Sequence, residues 1–398
     1  MTRHIFVGAA AAVLLMLPAR AYAQAEAGNA ATVQDILAFL VTNQGVQTAD
    51  FEKDREAAEA TRVTLTNALL SAIATLPVST SSSGFTYRLN PTLGTVERAS
   101  ETFGPFFVER ALTSGGGQAS LGFTFQFASF QHLDGHNLQD GQFVTIANQF
   151  RDEPQPFDVE TLTLDVQTRT ATFFGNLGLT DRVDVGVAVP VVRLDINGTR
   201  NNTYRGQELL QARARAEAVG LADIAVRSKV RLTGDGPGAV SAGVEVRLPT
   251  GKEDNLLGAG EMALRFLGMA SAEAGRASVH GNFTLGTGGI GREISYGGAL
   301  AVAATPQFTL VGELLARRIA GVQRISGVIA PHPRIAGVDT MRLIPSGEDQ
   351  TTAFAVAGFK WNVGGTWLLH GHVLLPMTET GLTARLTPTV ALDYSFTR

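Results

Sequence analysis

The sequence predicts an all-β protein, a closed antiparallel transmembrane β-barrel of about 12 strands with an N-terminal helical element. Three observations predict it. From residue 117 onward apolar residues recur with a period of two, and helical spacing does not return. The composition is sparing in charge (17%) and rich in glycine (44 of 398 residues), with no cysteine and a mean hydropathy of +0.11. Short and long connections then alternate along the chain, as the turns and loops of an outer-membrane barrel do. The absence of cysteine excludes disulfides, thiol nucleophiles and cysteine-based metal sites. A net charge of -4 is unlike that of a nucleic-acid binder, so no nucleic-acid partner is expected.

Residues 1–23 read as a secretory signal peptide. Arg3 and His4 precede an uncharged apolar run from Ile5 to Leu17, and Ala21-Tyr22-Ala23 supplies a small-x-small cleavage site. The run is shorter than the roughly 20 residues of a spanning helix. Residues 24–84 form a helical segment, expected in the periplasm or as a plug. Val33, Ile36, Leu37 and Leu40 have helical spacing behind Thr32, a candidate N-cap. A second run holds Phe51, Ala58, Leu65, Leu69 and Ile73, with a charged start from Glu52 to Glu59. Residues 85–116 connect it to the barrel; Phe85, Tyr87 and Leu89 alternate before Asn90-Pro91, which allows a short hairpin. Leu65–Leu76 and the 85–115 segment are expected to plug or cap the periplasmic mouth.

Residues 117–398 are the barrel. Its first strand alternates Leu121, Phe123, Phe125 and Phe127 with Gly122, Thr124 and Gln126. The next carries Leu162, Leu164, Val166 and Phe174 against Asp165, Gln167 and Arg169, and the third Val183 to Val191 against Asp184. Ile224, Val226 and Val230 alternate with Arg227, Lys229 and Arg231, and Val240, Val244 and Val246 with Glu245 and Arg247. Seven further candidates lie near 261–271, 277–286, 294–304, 307–318, 351–362, 366–376 and 381–396. A basic side chain facing lipid at the midplane costs about 2–4 kcal/mol. Three on one strand would rival the stability of a domain. The charges are therefore assigned to the lumen: Arg169, Arg227, Lys229, Arg231, Arg247, Arg265, Glu245, Glu313 and Arg385, with Asp165 and the paired imidazoles His370 and His372.

Connections near 175–181, 234–238, 272–276, 304–307 and 362–366 are short, which assigns them to the periplasm. Those near 132–156, 197–220, 249–260, 286–293 and 319–350 are longer and read as external. Phe174, Phe308, Trp361, Trp367, Tyr394 and Phe396 all fall beside a short turn or the C-terminus, where an outward aromatic girdle is expected.

Catalytic and cofactor chemistry finds no pattern here. His370-Gly371-His372 is half a metal site at most, since no carboxylate motif completes it; His280 with Asn282 is a similar inward pair. Gly286 to Gly291 joins two strands and opens no helix, so it is no phosphate loop. A phospholipase would need a Ser–His pair near the outer, lipid-facing side, and none stands at a clear spacing. No enzyme activity, metal or cofactor is expected. The inward charges read either as a self-neutralising ladder or as a basic stripe that favours anions.

Three motifs and the last strand carry a resemblance: Asn176-Leu177-Gly178-Leu179-Thr180-Asp181-Arg182-Val183-Asp184-Val185-Gly186-Val187, Gly220-Leu221-Ala222-Asp223-Ile224-Ala225-Val226-Arg227-Ser228-Lys229, and Leu248-Pro249-Thr250-Gly251-Lys252, with Leu392-Asp393-Tyr394-Ser395-Phe396 at the end. In these the chain resembles the outer-membrane family of meta-pathway phenol-degradation transporters, near the fatty-acid and toluene channels. The resemblance implies uptake of apolar or aromatic compounds. The sequence departs from that family in its longer helical preface and in the Thr397-Arg398 end after Phe396. The expected role is an outer-membrane channel for passive passage of small solutes, with lipid and the barrel-assembly machinery as partners. The alternatives are a non-transporting structural or anchoring barrel and, behind it, the phospholipase.

Overall fold

The computed structural model describes residues 32–43, 54–74, 87–90, 95–98, 100–234 and 238–397; the signal-peptide reading lies outside them. Among the described residues helices α1 (Val33–Thr42) and α2 (Arg55–Ala74) come first, then a hairpin of β1 (Tyr87–Asn90) and β2 (Thr95–Arg98). Thr32 caps α1 as its sequence predicts: its hydroxyl accepts from the Asp35 backbone N–H at 3.2 Å, and Asp35 accepts from the Thr32 backbone N–H at 2.8 Å. The Thr32 backbone N–H and hydroxyl, both bonded to the Asp35 carboxylate, hold it below its ordinary pKa.

The remaining strands are β3 (Gln118–Leu133), β4 (His136–Asn137), β5 (Val144–Phe150), β6 (Asp158–Thr180), β7 (Val183–Tyr204), β8 (Gln207–Leu221), β9 (Ile224–Thr233), β10 (Gly238–Leu248), β11 (Ala263–Ala274), β12 (Ala277–Gly288), β13 (Arg292–Thr305), β14 (Phe308–Pro331), β15 (Val338–Gly364), β16 (Trp367–Pro376), β17 (Leu382–Ala384) and β18 (Thr387–Thr397). Pairing runs β3–β6–β7–β9–β10–β11–β12–β13–β14–β15–β16–β18 and returns to β3, closing an antiparallel transmembrane barrel of 12 strands. Closure removes the sheet edge that lipid cannot satisfy. Twelve strands tilted by roughly 40° give a backbone diameter of about 24 Å.

Turns of a few residues join β6–β7, β9–β10, β11–β12, β13–β14 and β15–β16 at one end, which marks that end as periplasmic. At the other end the long connections are mostly not loops. β7 continues to Tyr204 and returns as β8, and β14 continues to Pro331 and pairs with β15 from Val338. The wall thus rises beyond the membrane as extended hairpins. The connection expected over 286–293 is short instead, because β12 and β13 close it to residues 289–291.

Burial along the strands fixes which face points where. Leu121, Phe173, Val187, Val226, Phe266, Phe283, Leu300, Leu314 and Val390 are exposed on the outside and form an apolar band. Phe127, Arg169 and Arg193 sit in one cross-strand row on β3, β6 and β7. Beyond that row the pattern inverts. Leu162, Leu164, Val166, Leu194 and Ile196 are buried facing inward, and Arg169, Asp195 and Arg215 face outward. From Gln118 to this row is about 30 Å along the strand, or about 23 Å along the membrane normal, close to the height of a barrel's lipid-facing band.

This corrects two expectations. Arg169 and Asp165 do not line the lumen, because they stand at and above the membrane boundary, where the cost of a lipid-facing charge no longer applies. Arg385 does not line it either: it is exposed between β17 and β18, in a break of what reads as one strand. Phe308, Trp361, Trp367, Tyr394 and Phe396 form the outward periplasmic girdle, with ring centroids 4.7 Å apart for Trp367–Tyr394 and 5.7 Å for Tyr394–Phe396. Phe174 departs from the set. It is buried inward across Gly122, where an added Cβ would stand 2.2 Å from its ring.

Candidate functional site

The lumen holds two separate fillings. In the external half α1 and α2 pack against the inverted, apolar wall, burying Ile36, Leu37, Leu40, Leu65 and Leu69 among Leu162, Leu164, Leu194 and Ile196. The inner face of β8 there is Ala212, Ala214, Ala216 and Ala218, small side chains that leave room for a helix about 10–12 Å wide. Gly198 serves the same end: a Cβ on it would lie 2.3 Å from Leu40. These contacts put the helices on the external side and not at the periplasmic mouth.

In the periplasmic half residues 100–116 cross the lumen without helix or strand, hung from wall side chains. The segment starts low on β12 and β14, where Thr102 meets Ser278 at 2.7 Å and the Phe103 N–H donates to Thr309. It then rises to Glu313 of β14. That carboxylate accepts from the backbone N–H groups of Phe106, Phe107 (3.0 Å) and Val108 (2.9 Å). Lys360 donates to the Pro105 carbonyl at 2.9 Å and stands 4.9 Å from the centre of the Phe106 ring. Phe106 stacks on His372 at 4.2 Å and on His370 at 5.7 Å, so the imidazole pair packs against the segment, with His370 also 3.4 Å from Asp393. No group of three or more metal-ligating side chains occurs among the described residues.

Past Val108 the segment crosses to β9–β12 and descends. Arg227 bonds the Glu109 carboxylate, and Asn282, with its amide turned to satisfy both groups, donates to the Glu109 carbonyl at 2.8 Å and accepts from its N–H at 2.5 Å. The Ala111 N–H donates to Ser271 at 2.9 Å, and Ser241 donates to the Ala111 carbonyl at 2.5 Å. Lys229 donates to the carbonyls of Arg110 and Leu112 at 3.1 and 2.9 Å. Ser114 N–H donates to Asp184 at 2.9 Å, and Asn176 donates to the Ser114 hydroxyl at 2.7 Å, just before the chain enters β3. Glu109, Lys229, Asp184, Glu313 and Lys360 are each met here by backbone groups or an opposite charge, the condition under which burial is tolerable.

His280 lies between Ser271 (2.8 Å) and Ser278 (2.9 Å). This is the Ser–His geometry that sequence spacing did not reveal. It is buried, faces inward, and both serines hold the segment, so it is not the lipid-facing pair a phospholipase requires.

Among the predicted residues, Arg227, Lys229, Arg231, Arg247, Arg265, Glu245, Glu313, His370 and His372 lie on the inward face. Glu245 is the hub of the charge ladder: Arg227 bonds it, as do Arg247 at 3.0 Å and Arg265 at 3.1 Å, and Arg265 also reaches Glu293 at 2.5 Å. Beside this ladder and the segment lies a cavity of about 150 Å³, edged by Phe107, Val108, Glu109, Thr284, Ser295 and Arg317 among others. A smaller one of about 30 Å³ shares Arg247, Arg265 and Glu293 with it and leads to the turn at Gly288–Gly291 on the external side. A third of about 10 Å³ shares Glu109 and Arg227 and reaches Lys229 and Asp184 near the periplasmic end. The three follow one side of the barrel, interrupted at Glu109. Sequence reasoning placed Asn282 inward and expected the 85–115 segment to plug or cap the mouth, but missed Lys360, Ser241 and Ser271 and the wall contacts that hold residues 100–116. The inward parity of those wall positions was readable, but their partner is non-periodic chain.

No protein-family model and no curated protein sequence matches the chain. Solved structures that it resembles are outer-membrane barrels. An outer-membrane channel from Pseudomonas putida F1 is 12% identical, with a TM-score of 0.45 over 72% of this chain and 98% of the channel. The KdgM porin in complex with disordered oligogalacturonate is 9% identical, with a TM-score of 0.34 over 60% of this chain and 98% of the porin. OprB of Pseudomonas putida is 10% identical, with a TM-score of 0.26 over 70% of this chain and 93% of OprB.

Proposed function

We propose that this protein is an outer-membrane channel for small solutes, closed in this conformation by residues 100–116. One observation carries the reading: a non-periodic segment is suspended across the lumen by side chains of β7, β9, β10, β11, β12, β14 and β15, with a line of cavities on either side of it. The basic stripe Arg227, Arg247 and Arg265 suits polar or anionic solutes, while Leu267, Leu315 and Phe354 give the same cavity an apolar side. Apolar or aromatic solutes, which the family resemblance implies, would pass here only with a polar group to meet the arginines.

Planar-bilayer recording tests the proposal. A chain that keeps the signal peptide but lacks residues 24–116 is expected to give a steady pore that conducts several times better than the full chain. Equal conductance from correctly inserted full-length and shortened proteins would overturn the closure by residues 100–116, and a correctly inserted shortened protein that does not conduct would overturn the channel in favour of an anchoring barrel.

A further inference from the structure

We infer that the cavity beside Glu109 binds a small organic carboxylate, and that such an anion opens the channel by replacing Glu109 on Arg227. The inference rests on residues 100–116 being the closing segment. Its first ground is size. A cavity of about 150 Å³ is large enough for a single-ring molecule. The second is lining. Arg227, Arg247 and Arg265 stand on one side, and Leu267, Leu315 and Phe354 offer an apolar surface. Guanidinium forks match a carboxylate in shape and charge, and the apolar side chains match a hydrocarbon body.

The third ground is the charge count. Four arginines line the cavity (Arg227, Arg247, Arg265 and Arg317) with three carboxylates (Glu109, Glu245 and Glu293). Glu109 does not belong to the wall. Counting the wall alone leaves four positive groups against two negative, a formal excess of two that Glu109 halves. The segment thus carries its own carboxylate into a cationic site that the barrel leaves under-neutralised. Arg227 bridges Glu109 and Glu245, so the same guanidinium both latches the segment and lines the cavity. Asn282 lines it as well and holds the Glu109 backbone. A free carboxylate that bonds Arg227 therefore competes directly for the latch, and its body lies against Phe107, the neighbouring part of the segment.

The test uses the full chain in planar bilayers, with sodium benzoate and sodium butyrate as probes at constant ionic strength and benzyl alcohol as the neutral counterpart of benzoate. Benzoate is expected to raise the open probability in a saturable way, and benzyl alcohol is not. E109Q is expected to be open in chloride alone, and calorimetry is expected to find its benzoate affinity about tenfold higher, because the internal competitor is gone. E313Q, which loosens the segment away from Arg227, serves as the second variant and is expected to open and to bind benzoate more tightly than the wild type, though less tightly than E109Q, because Glu109 is still present to compete. If E109Q or E313Q opens but benzoate neither binds nor opens the wild type, the carboxylate site is refuted and the closing segment stands. If neither variant differs from wild type in chloride, the closing segment itself fails.

Discussion

Glu313 shows how much one side chain decides here. Three consecutive backbone N–H groups, those of Phe106, Phe107 and Val108, have no helix or strand partner and converge on its carboxylate. Hydrogen bonds to a charged group are each worth about 1.5–3 kcal/mol, and a buried N–H left without one costs a comparable amount. Glu313→Ala is therefore expected to destabilise the anchored segment by several kcal/mol, and to appear in single-channel records as frequent openings with a largely unchanged melting temperature. Long closed periods like those of the wild type would contradict it. Arg169 and Arg247 make the complementary pair of substitutions. Both are basic residues in alternating strands, but Arg169 is exposed outside and Arg247 is buried inside beside Glu245. Arg169→Ala is expected to leave conductance and ion selectivity unchanged, whereas Arg247→Ala lowers the preference for anions in reversal-potential measurements. The sequence permits this distinction in principle. Val183 to Val191 keep one parity and Val192, Leu194 and Ile196 take the other, and on β3 the phase likewise changes after Phe127. A switch in apolar parity along one strand marks where lipid outside gives way to helix inside. Period alone, without its phase, puts Arg169 on the wrong face.

The two helices and the tall hairpins require one another. Rising past the membrane, β6, β7 and β8 turn apolar side chains inward, a surface that water would penalise if it were left open. α1 and α2 cover it, and Leu40 is fully buried beside Leu164 and Gly198. Leu40→Ala is expected to cost about 2–5 kcal/mol in the unfolding of this external region. Gly198→Val, whose side chain would collide with Leu40, is expected to displace α1, which protease protection of residues 33–42 would report as faster cleavage. Unchanged protection in both variants would mean that α1 does not depend on this seat. The existence and cap of α1 were readable from its spacing and from Thr32, since both are local. Its location was not, because the inward face of β8 is a run of alanines that alternate with charged residues. Such a stretch looks like an external loop until it has a helix to receive.

Across the barrel as a whole, the two fillings act in series, and the resistance of such a path is governed by its narrowest part. The wall encloses a backbone diameter of about 24 Å, wide enough that the inward side chains alone would leave a passage. Residues 100–116 lie across that passage in the membrane-spanning half, at Glu109. The helices lie above it and against the tall side of the wall, while the cavity beside Arg247 and Arg265 continues externally to Gly288–Gly291. Removing the helices alone therefore leaves the constriction in place. Deleting residues 24–84 is expected to lower thermal stability, by uncovering Leu162, Leu164, Leu194 and Ile196, yet to change single-channel conductance little. Deleting residues 24–116 is expected to raise conductance several-fold. The order of the two effects is what discriminates. Should the shorter deletion already give the full conductance of the longer one, the helices are the gate, and residues 100–116 are only the strap that ties them to β3.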